Sequence, residues 1–453
     1  MKKEARSAYV CQECGAEHPR WQGRCSGCGA WNTLEERKAT AGKRSRSGPP
    51  KSTRLAEVQS MERPRLPSGL SELDRVLGGG VVPGGVVLLG GDPGIGKSTL
   101  ALQMLGALAA RRARTLYISG EESAFQVAER ARRLGNAALQ DIQLFASNDL
   151  EEVLQLLHSE SAQAVVVDSI QTLRASSSLS SAGTVAQLRE VTSRLTELAK
   201  AEDIALFLIG HVTKEGTIAG PKVLEHLVDT VLSFEGDATY QFRVLRATKN
   251  RFGPSQEVGF FEMDSRGLSE VSDPSHLFLA ERPSAAAGSV VTPTANNSRP
   301  LMVEVQALVA PAASGGARRY VSGLDLGRLS ILLAVLERRA GLHVLDQDVF
   351  ASVAGGLRID ERSVDLALAL AVVSSLRNRP IAAEWAVFGE VGLTGEVRAV
   401  PRAALRIAEA RKLGFTRILA PASNLEALTP SDRQGLEITP ARSIEQALEA
   451  TLA

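Results

Sequence analysis

The residues of this chain best equipped for chemistry are the run Gly91-Asp92-Pro93-Gly94-Ile95-Gly96-Lys97-Ser98. Its glycines let backbone approach a ligand closely. The N–H groups of such a loop, followed by the positive end of a helix dipole, cradle phosphates. Lys97 is expected to reach the β- and γ-phosphates of ATP and Ser98 to ligate Mg²⁺, with Thr99 completing the nucleotide-contacting run. Asp168 closes the apolar run Val165-Val166-Val167, where a second carboxylate holds Mg²⁺ through water. Glu121 and Glu122 follow Leu116-Tyr117-Ile118-Ser119. A carboxylate at that strand end can polarise the attacking water, and Glu121 is preferred. The bland alternative is that both acids simply favour a helix N-terminus.

A second constellation is Cys11-Gln-Glu-Cys14-Gly and Cys25-Ser-Gly-Cys28-Gly, which holds all four cysteines of the chain. Each Cys-x-x-Cys-Gly knuckle aims two thiolates at one point. Four soft thiolates suit structural Zn²⁺ and leave no open coordination position for catalysis. His18 is expected at the surface, with Trp21 and Trp31 packed around the module; stacking of either on a nucleobase is the minority reading.

Strands and helices must hold these groups in place. Val86–Leu89 reads as a strand ending at the phosphate loop, and 97–110 as the helix after it. A strand over 115–119, a helix over 124–133, strands over 164–167 and 204–209, and a helix over 185–201 follow. Apolar strands with little polar alternation, flanked by helices, indicate a parallel sheet covered on both faces. The chain divides into a cysteine module (8–32), a flexible basic linker (33–60), a first α/β block (61–275) and a second (276–453), with Pro283 to Ser289 marking the joint.

The 453 residues carry a net charge of +1, so no global electrostatic footprint for nucleic acid exists. Residues 1–60 nevertheless hold twelve Lys and Arg against six Asp and Glu, which makes any DNA contact local. No apolar run approaches the ~20 residues of a membrane helix. The start, Met-Lys-Lys-Glu-Ala-Arg, has no apolar segment of a signal peptide. A cytoplasmic protein is expected.

These motifs resemble the RecA-type ATPase core and, more closely, the bacterial RadA (Sms) DNA-repair family. That family's order of parts is a four-cysteine zinc finger, a RecA-like ATPase and a Lon-protease-like domain. The most specific signature is Lys249-Asn250-Arg251-Phe252-Gly253, joined by Gly210-His211-Val212-Thr213-Lys214-Glu215-Gly216 and Leu224-Glu225-His226. The resemblance implies an ATP-driven motor on single-stranded and branched DNA, acting as a hexameric ring beside the RecA recombinase and promoting branch migration. It puts Glu121 at the water-activating position and His211 at a γ-phosphate sensor. The loop carrying Lys214 and Lys222, and the one opening at Arg174, become DNA-facing. Lys249 and Arg251 resemble paired cations inserted into a neighbour's ATP site; contact with DNA is the other reading. A recombination mediator using ATP only as a switch, and strand exchange of the RecA kind, are competing functions.

Residues 356–376 resemble the Lon segment that holds a nucleophilic serine, which aligns near Ser363. Glu361, Arg362 and Asp365 stand where Lon has Gly, Pro and Gly. The position of the lysine base falls at Ala404, Arg406 cannot deprotonate, and Lys412 lies too far along. A serine peptidase is therefore not expected. Ring assembly and a basic surface for duplex DNA are expected of this domain instead. Arg398, Arg402 and Arg406 would line one helix face if the helix began that early.

Overall fold

The computed structural model describes residues 7–11, 16–38, 64–175, 184–210, 223–236, 242–255, 257–283, 286–295, 299–312 and 316–452. Cys14, His211, Lys214 and Lys222 lie outside them. The chain forms two compact units, 1–270 and 271–453.

The cysteine module is a three-stranded antiparallel sheet of β1 (Ser7–Cys11), β2 (Glu17–His18) and β3 (Leu34–Lys38), in the order β2-β1-β3. Residues 34–38, read as linker, thus pair along the whole length of β1. The knuckle turns back at Leu34, so β3 satisfies the free edge of β1. The core of the module is Cys11, Cys25 and Leu34, packed by Tyr9 and Ala16.

The nine-stranded sheet of the first unit consists of β4 (Val86–Gly91), β5 (Thr115–Ser119), β6 (Gln143–Ala146), β7 (Ala164–Asp168), β8 (Ala205–Ile209), β9 (Thr230–Glu235), β10 (Phe242–Asn250), β11 (Val258–Asp264) and β12 (Gly267–Glu270). Their order is β12-β11-β10-β9-β4-β8-β7-β5-β6. The strands from β9 to β6 are parallel, as expected. The remaining three are an antiparallel extension that strand patterning did not suggest. Helix Lys97–Ala110 packs on one face with the Leu89, Tyr117 and Val166 side of the strands, while the Leu88, Ile118 and Val167 side meets helices Leu150–Glu160 and Val185–Ala201. Both faces are therefore dry, which is why β4, β5 and β8 are buried at every position.

The second unit begins with helix Pro274–Leu279, so the joint lies ahead of this helix rather than at 275 or at the Ser-Ala stretch. Its seven-stranded sheet contains β13 (Ser289–Thr294), β14 (Leu301–Pro311), β15 (Arg319–Ser322), β16 (Gln347–Val353), β17 (Trp385–Val387), β20 (Arg417–Pro421) and β21 (Glu437–Ala441), in the order β15-β16-β14-β13-β17-β20-β21. A separate ribbon pairs β18 (Glu390–Val391) with β19 (Val397–Arg398). The apolar helix Asp365–Arg377 is buried over its first ten residues and forms the centre of this unit.

Candidate functional site

The phosphate loop joins β4 to helix Lys97–Ala110. Gly96 is the N-cap at φ 114°, and no side chain caps the helix there. A Cβ on Gly91 would sit 2.5 Å from the Phe234 carbonyl oxygen, and the φ of 114° at Gly96 strains any side chain, so both positions favour glycine. The open helix terminus leaves its first N–H groups for an anion. Lys97 is buried, and its ammonium donates to the carbonyls of Gly91 at 2.8 Å and Asp92 at 2.9 Å. Burial lowers its pKa, against the opposing pull of Asp168, Asp92 and Glu121.

Ser98 Oγ donates to Asp168 Oδ2 at 2.6 Å. Asp168 ends β7, one strand from Ser119 at the end of β5. The same carboxylate oxygen accepts from Tyr117, a fully buried phenol whose pKa is raised by burial and by that carboxylate. Tyr117 escaped the sequence reading. A tyrosine between Leu116 and Ile118 at the centre of a strand is the available signal, since its hydroxyl needs a partner once buried. Ser98 and Asp168 bring a hydroxyl and a carboxylate together at the mouth of the phosphate loop, an oxygen donor set that suits Mg²⁺.

The paired acids separate. Glu121 accepts from Ser169, the residue after Asp168. Glu122 is tied to Arg130 on helix Ala124–Arg133, and its N–H donates to Ser119 Oγ. Glu121 thus lies at the end of β7 beside Asp168, and Glu122 faces the helix.

Lys249 and Arg251 stand elsewhere. Thr230 pairs with Val87 and Phe234 with Gly91, whereas Asn250 pairs with Thr230. The two cations therefore sit at the end of the sheet away from the phosphate loop, about 13 Å below it at ~3.3 Å per strand residue. They cannot serve the ATP site of their own chain. The Lys249 ammonium donates to the carbonyls of Glu225 at 2.5 Å and Val228 at 2.7 Å. Desolvation, then the nearby Arg251, lowers its pKa. Arg251 donates to Asp229 Oδ1 at 3.1 Å, an oxygen shared with Lys200. Asp229 is buried and also accepts the Val86 N–H at 3.2 Å.

The other members of the five-residue motif hold the turn. Asn250 Oδ1 accepts from Thr230 Oγ1 and from the Phe252 N–H. Gly253 lies so close to Gly78 that a Cβ on either would be 3.0 Å from the other's Cα. Arg174, by contrast, is exposed and anchored through its backbone, pairing with Asn148 and Leu150.

In the cysteine module the sulfurs of Cys11, Cys25 and Cys28 lie within 4.8 Å of one another. Cys11 and Cys28 are 3.7 Å apart, against an edge of about 3.8 Å for a tetrahedron with Zn–S bonds of ~2.3 Å. The three fit zinc. His18 is buried rather than at the surface, with Nε2 3.5 Å from Cys25 Sγ and Nδ1 2.6 Å from Gln22 Nε2. The Gln22 amide nitrogen can only donate, so Nδ1 accepts and the other ring nitrogen is left to donate to the Cys25 sulfur. Trp21 and Trp31 do not pack inward: they are 55% and 70% exposed.

Ser363 is buried, and the group on it is Arg406, whose Nη1 lies 3.0 Å from Oγ. Arg406 also forms a two-point pair with Glu361, at 3.1 and 2.7 Å, and donates to the carbonyls of Pro293 and Pro401. The residue facing the serine is thus Arg406, not Ala404, which is exposed. The helix starts at Ala403, with Arg402 as its N-cap at φ 59°. Arg398, Arg402 and Arg406 therefore do not share a helix face, and Arg406 is withdrawn from any basic surface.

Comparison with known proteins accords with these three regions. Residues 9–36 match the rubredoxin metal binding domain family, 51–217 an AAA domain family and 334–424 the family of subunit ChlI of Mg-chelatase. The DNA repair protein RadA of Bacillus subtilis is 46% identical over 459 residues, covering 99% of each chain. RadA of Escherichia coli matches equally, at 46% over 459 residues and 99% of each. Among solved structures, an ATPase domain aligns with a TM-score of 0.42 and 16% identity, over 48% of this chain and 95% of its own. No helix among the described residues is long and apolar enough to cross a membrane. With a metal-binding cysteine module, a phosphate-loop ATPase unit and a Lon-like unit along its full length, the chain belongs to the family of the DNA repair protein RadA.

Proposed function

We propose that the protein is an ATP-dependent motor on single-stranded and branched DNA, which drives branch migration during recombinational repair in the cytoplasm. The observation that carries this reading is the division of the ATPase machinery between the two ends of one sheet. Lys97, Ser98, Asp168 and Glu121 gather at one end; Lys249 and Arg251 stand at the other, out of reach of them. Such a chain completes its site only with a second copy, as in a ring, and a hexamer is the form proposed.

In this scheme the run Gly91 to Thr99 holds the phosphates, and Lys97 leaves the Gly91 and Asp92 carbonyls for phosphate oxygens. Ser98 and Asp168 hold Mg²⁺, which offsets charge on the phosphates when bound. Glu121, oriented by Ser169, accepts the proton of the attacking water. Lys249 and Arg251 of a neighbouring copy stabilise charge developing on the transferred phosphoryl group, with His211 sensing the γ-phosphate. Arg174, Lys214 and Lys222 contact DNA phosphates. Cys11, Cys14, Cys25 and Cys28 hold structural Zn²⁺. The RecA recombinase is the proposed partner.

The test is displacement of a labelled strand from a branched junction, with ATP and with a non-hydrolysable analogue. ATP-dependent displacement supports the motor. DNA binding and ATP turnover without displacement would instead fit a mediator that uses ATP as an assembly switch. The guanidinium on Ser363 argues against a peptidase, because a group that stays protonated cannot serve as the base.

A further inference from the structure

Two of the three tryptophans of the chain are exposed on the small cysteine module. An indole offers a large apolar surface, so its exposure at two neighbouring points of one module is notable. The rings border a common spot: a Cβ built on Gly23 would lie 3.8 Å from Trp31 and 4.0 Å from Trp21. Gly23 leaves that spot open.

The backbone beneath is fixed. Arg24 and Trp31 form a β-bridge, the Asn32 N–H donates to the Gly23 carbonyl at 2.8 Å, and the Cys25 N–H donates to Ala30 at 2.8 Å. Arg24 Nε donates to the Gly29 carbonyl at 2.9 Å, which holds its guanidinium 5.8 Å from the centre of the Trp31 ring. The indoles are thus presented by a hydrogen-bonded cysteine knuckle rather than by a loose loop.

The local charge selects the occupant. From His18 to Leu34 there is no acidic residue, while Arg20 and Arg24 are exposed beside the indoles. Aromatic faces interleaved with cations are the elements of a single-strand platform, where bases stack and phosphates find positive charge. We infer that Trp21, Trp31 and Arg24 form a stacking site for unpaired bases of single-stranded DNA. None of these residues is among those proposed above to contact DNA from the ATPase unit. The inference rests on the reading that the protein acts on DNA, but not on ATP turnover.

The full-length protein is titrated without nucleotide, using short oligothymidylate. Tryptophan emission reports the stack, since the third tryptophan, Trp385, is buried; anisotropy of a labelled oligonucleotide reports total binding. Saturable quenching is expected. Trp31→Ala should weaken binding about tenfold, and Trp31→Phe should restore most of it, with zinc content and DNA-free ATPase rate unchanged in both. Anisotropy that rises without any change in tryptophan emission overturns the stacking site alone. So does unaltered affinity in the Trp21→Ala/Trp31→Ala double variant with zinc retained, which would assign the indoles to a protein partner. Absence of any anisotropy rise would overturn the DNA reading as well.

Discussion

Three buried or half-buried cations in this chain rest on two kinds of partner. Lys97 lies on the carbonyls of Gly91 and Asp92, and Lys249 on those of Glu225 and Val228. Arg406 is paired at two points with the Glu361 carboxylate and fills its remaining contacts with Ser363 and two carbonyls. Neutral carbonyls hold an ammonium loosely in energetic terms, and burial has already disfavoured its charge. A phosphate can displace them and gain a full ionic interaction. A buried guanidinium–carboxylate pair has nothing to gain from a new ligand and much to lose by opening. The first arrangement keeps a charge available for chemistry, and the second uses it to hold a fold together.

The widest break of this comparison is Lys249→Ala. With no ammonium to offer a neighbouring site, turnover should fall by about 10³-fold, while ATP affinity measured by equilibrium binding holds. A loss of affinity at unchanged kcat would contradict the role. Lys97→Arg is subtler because charge is retained. The planar fork cannot reproduce the compact ammonium, and kcat should drop by about 10²-fold in steady-state assays.

Arg406→Ala addresses the other side. It strands the Glu361 carboxylate and should destabilise the second unit by about 3–5 kcal/mol. Thermal unfolding would show this, with the ATP-binding constant unchanged. Replacing both partners by apolar residues, Arg406→Met with Glu361→Leu, should recover most of the loss. Tyr117→Phe sharpens the picture at the smallest scale. It removes one hydrogen bond to Asp168 and should raise the Mg²⁺ concentration needed for half-maximal turnover about fivefold.

Contiguous features were the legible ones. A phosphate loop takes its chemistry from consecutive residues between a strand and a helix. The helices at 97–110, 124–133 and 185–201 fall where their patterns indicate. What was hidden depends on cross-strand contact. Tyr117 meets Asp168 from a neighbouring strand, and Asp229 collects Lys200, Arg251 and the Val86 N–H from three separate segments. The Arg406–Ser363 contact turns on a helix start displaced by the left-handed Arg402. Trp21 and Trp31 stay exposed because the core of their module is made by Cys11, Cys25 and Leu34 with Tyr9 and Ala16, a packing that sequence spacing does not reveal. The antiparallel strands β10 to β12 escaped because no phosphate-loop pattern extends to them.

The central claim is that Lys97 carries an exchangeable charge in a DNA-coupled ATPase. Its most direct test is the steady-state rate of ATP hydrolysis by the purified protein and by Lys97→Ala, with and without single-stranded DNA at moderate salt. Stimulation by DNA in the parent protein and no turnover in the variant are predicted. Turnover in Lys97→Ala equal to that of the parent would contradict the site assignment.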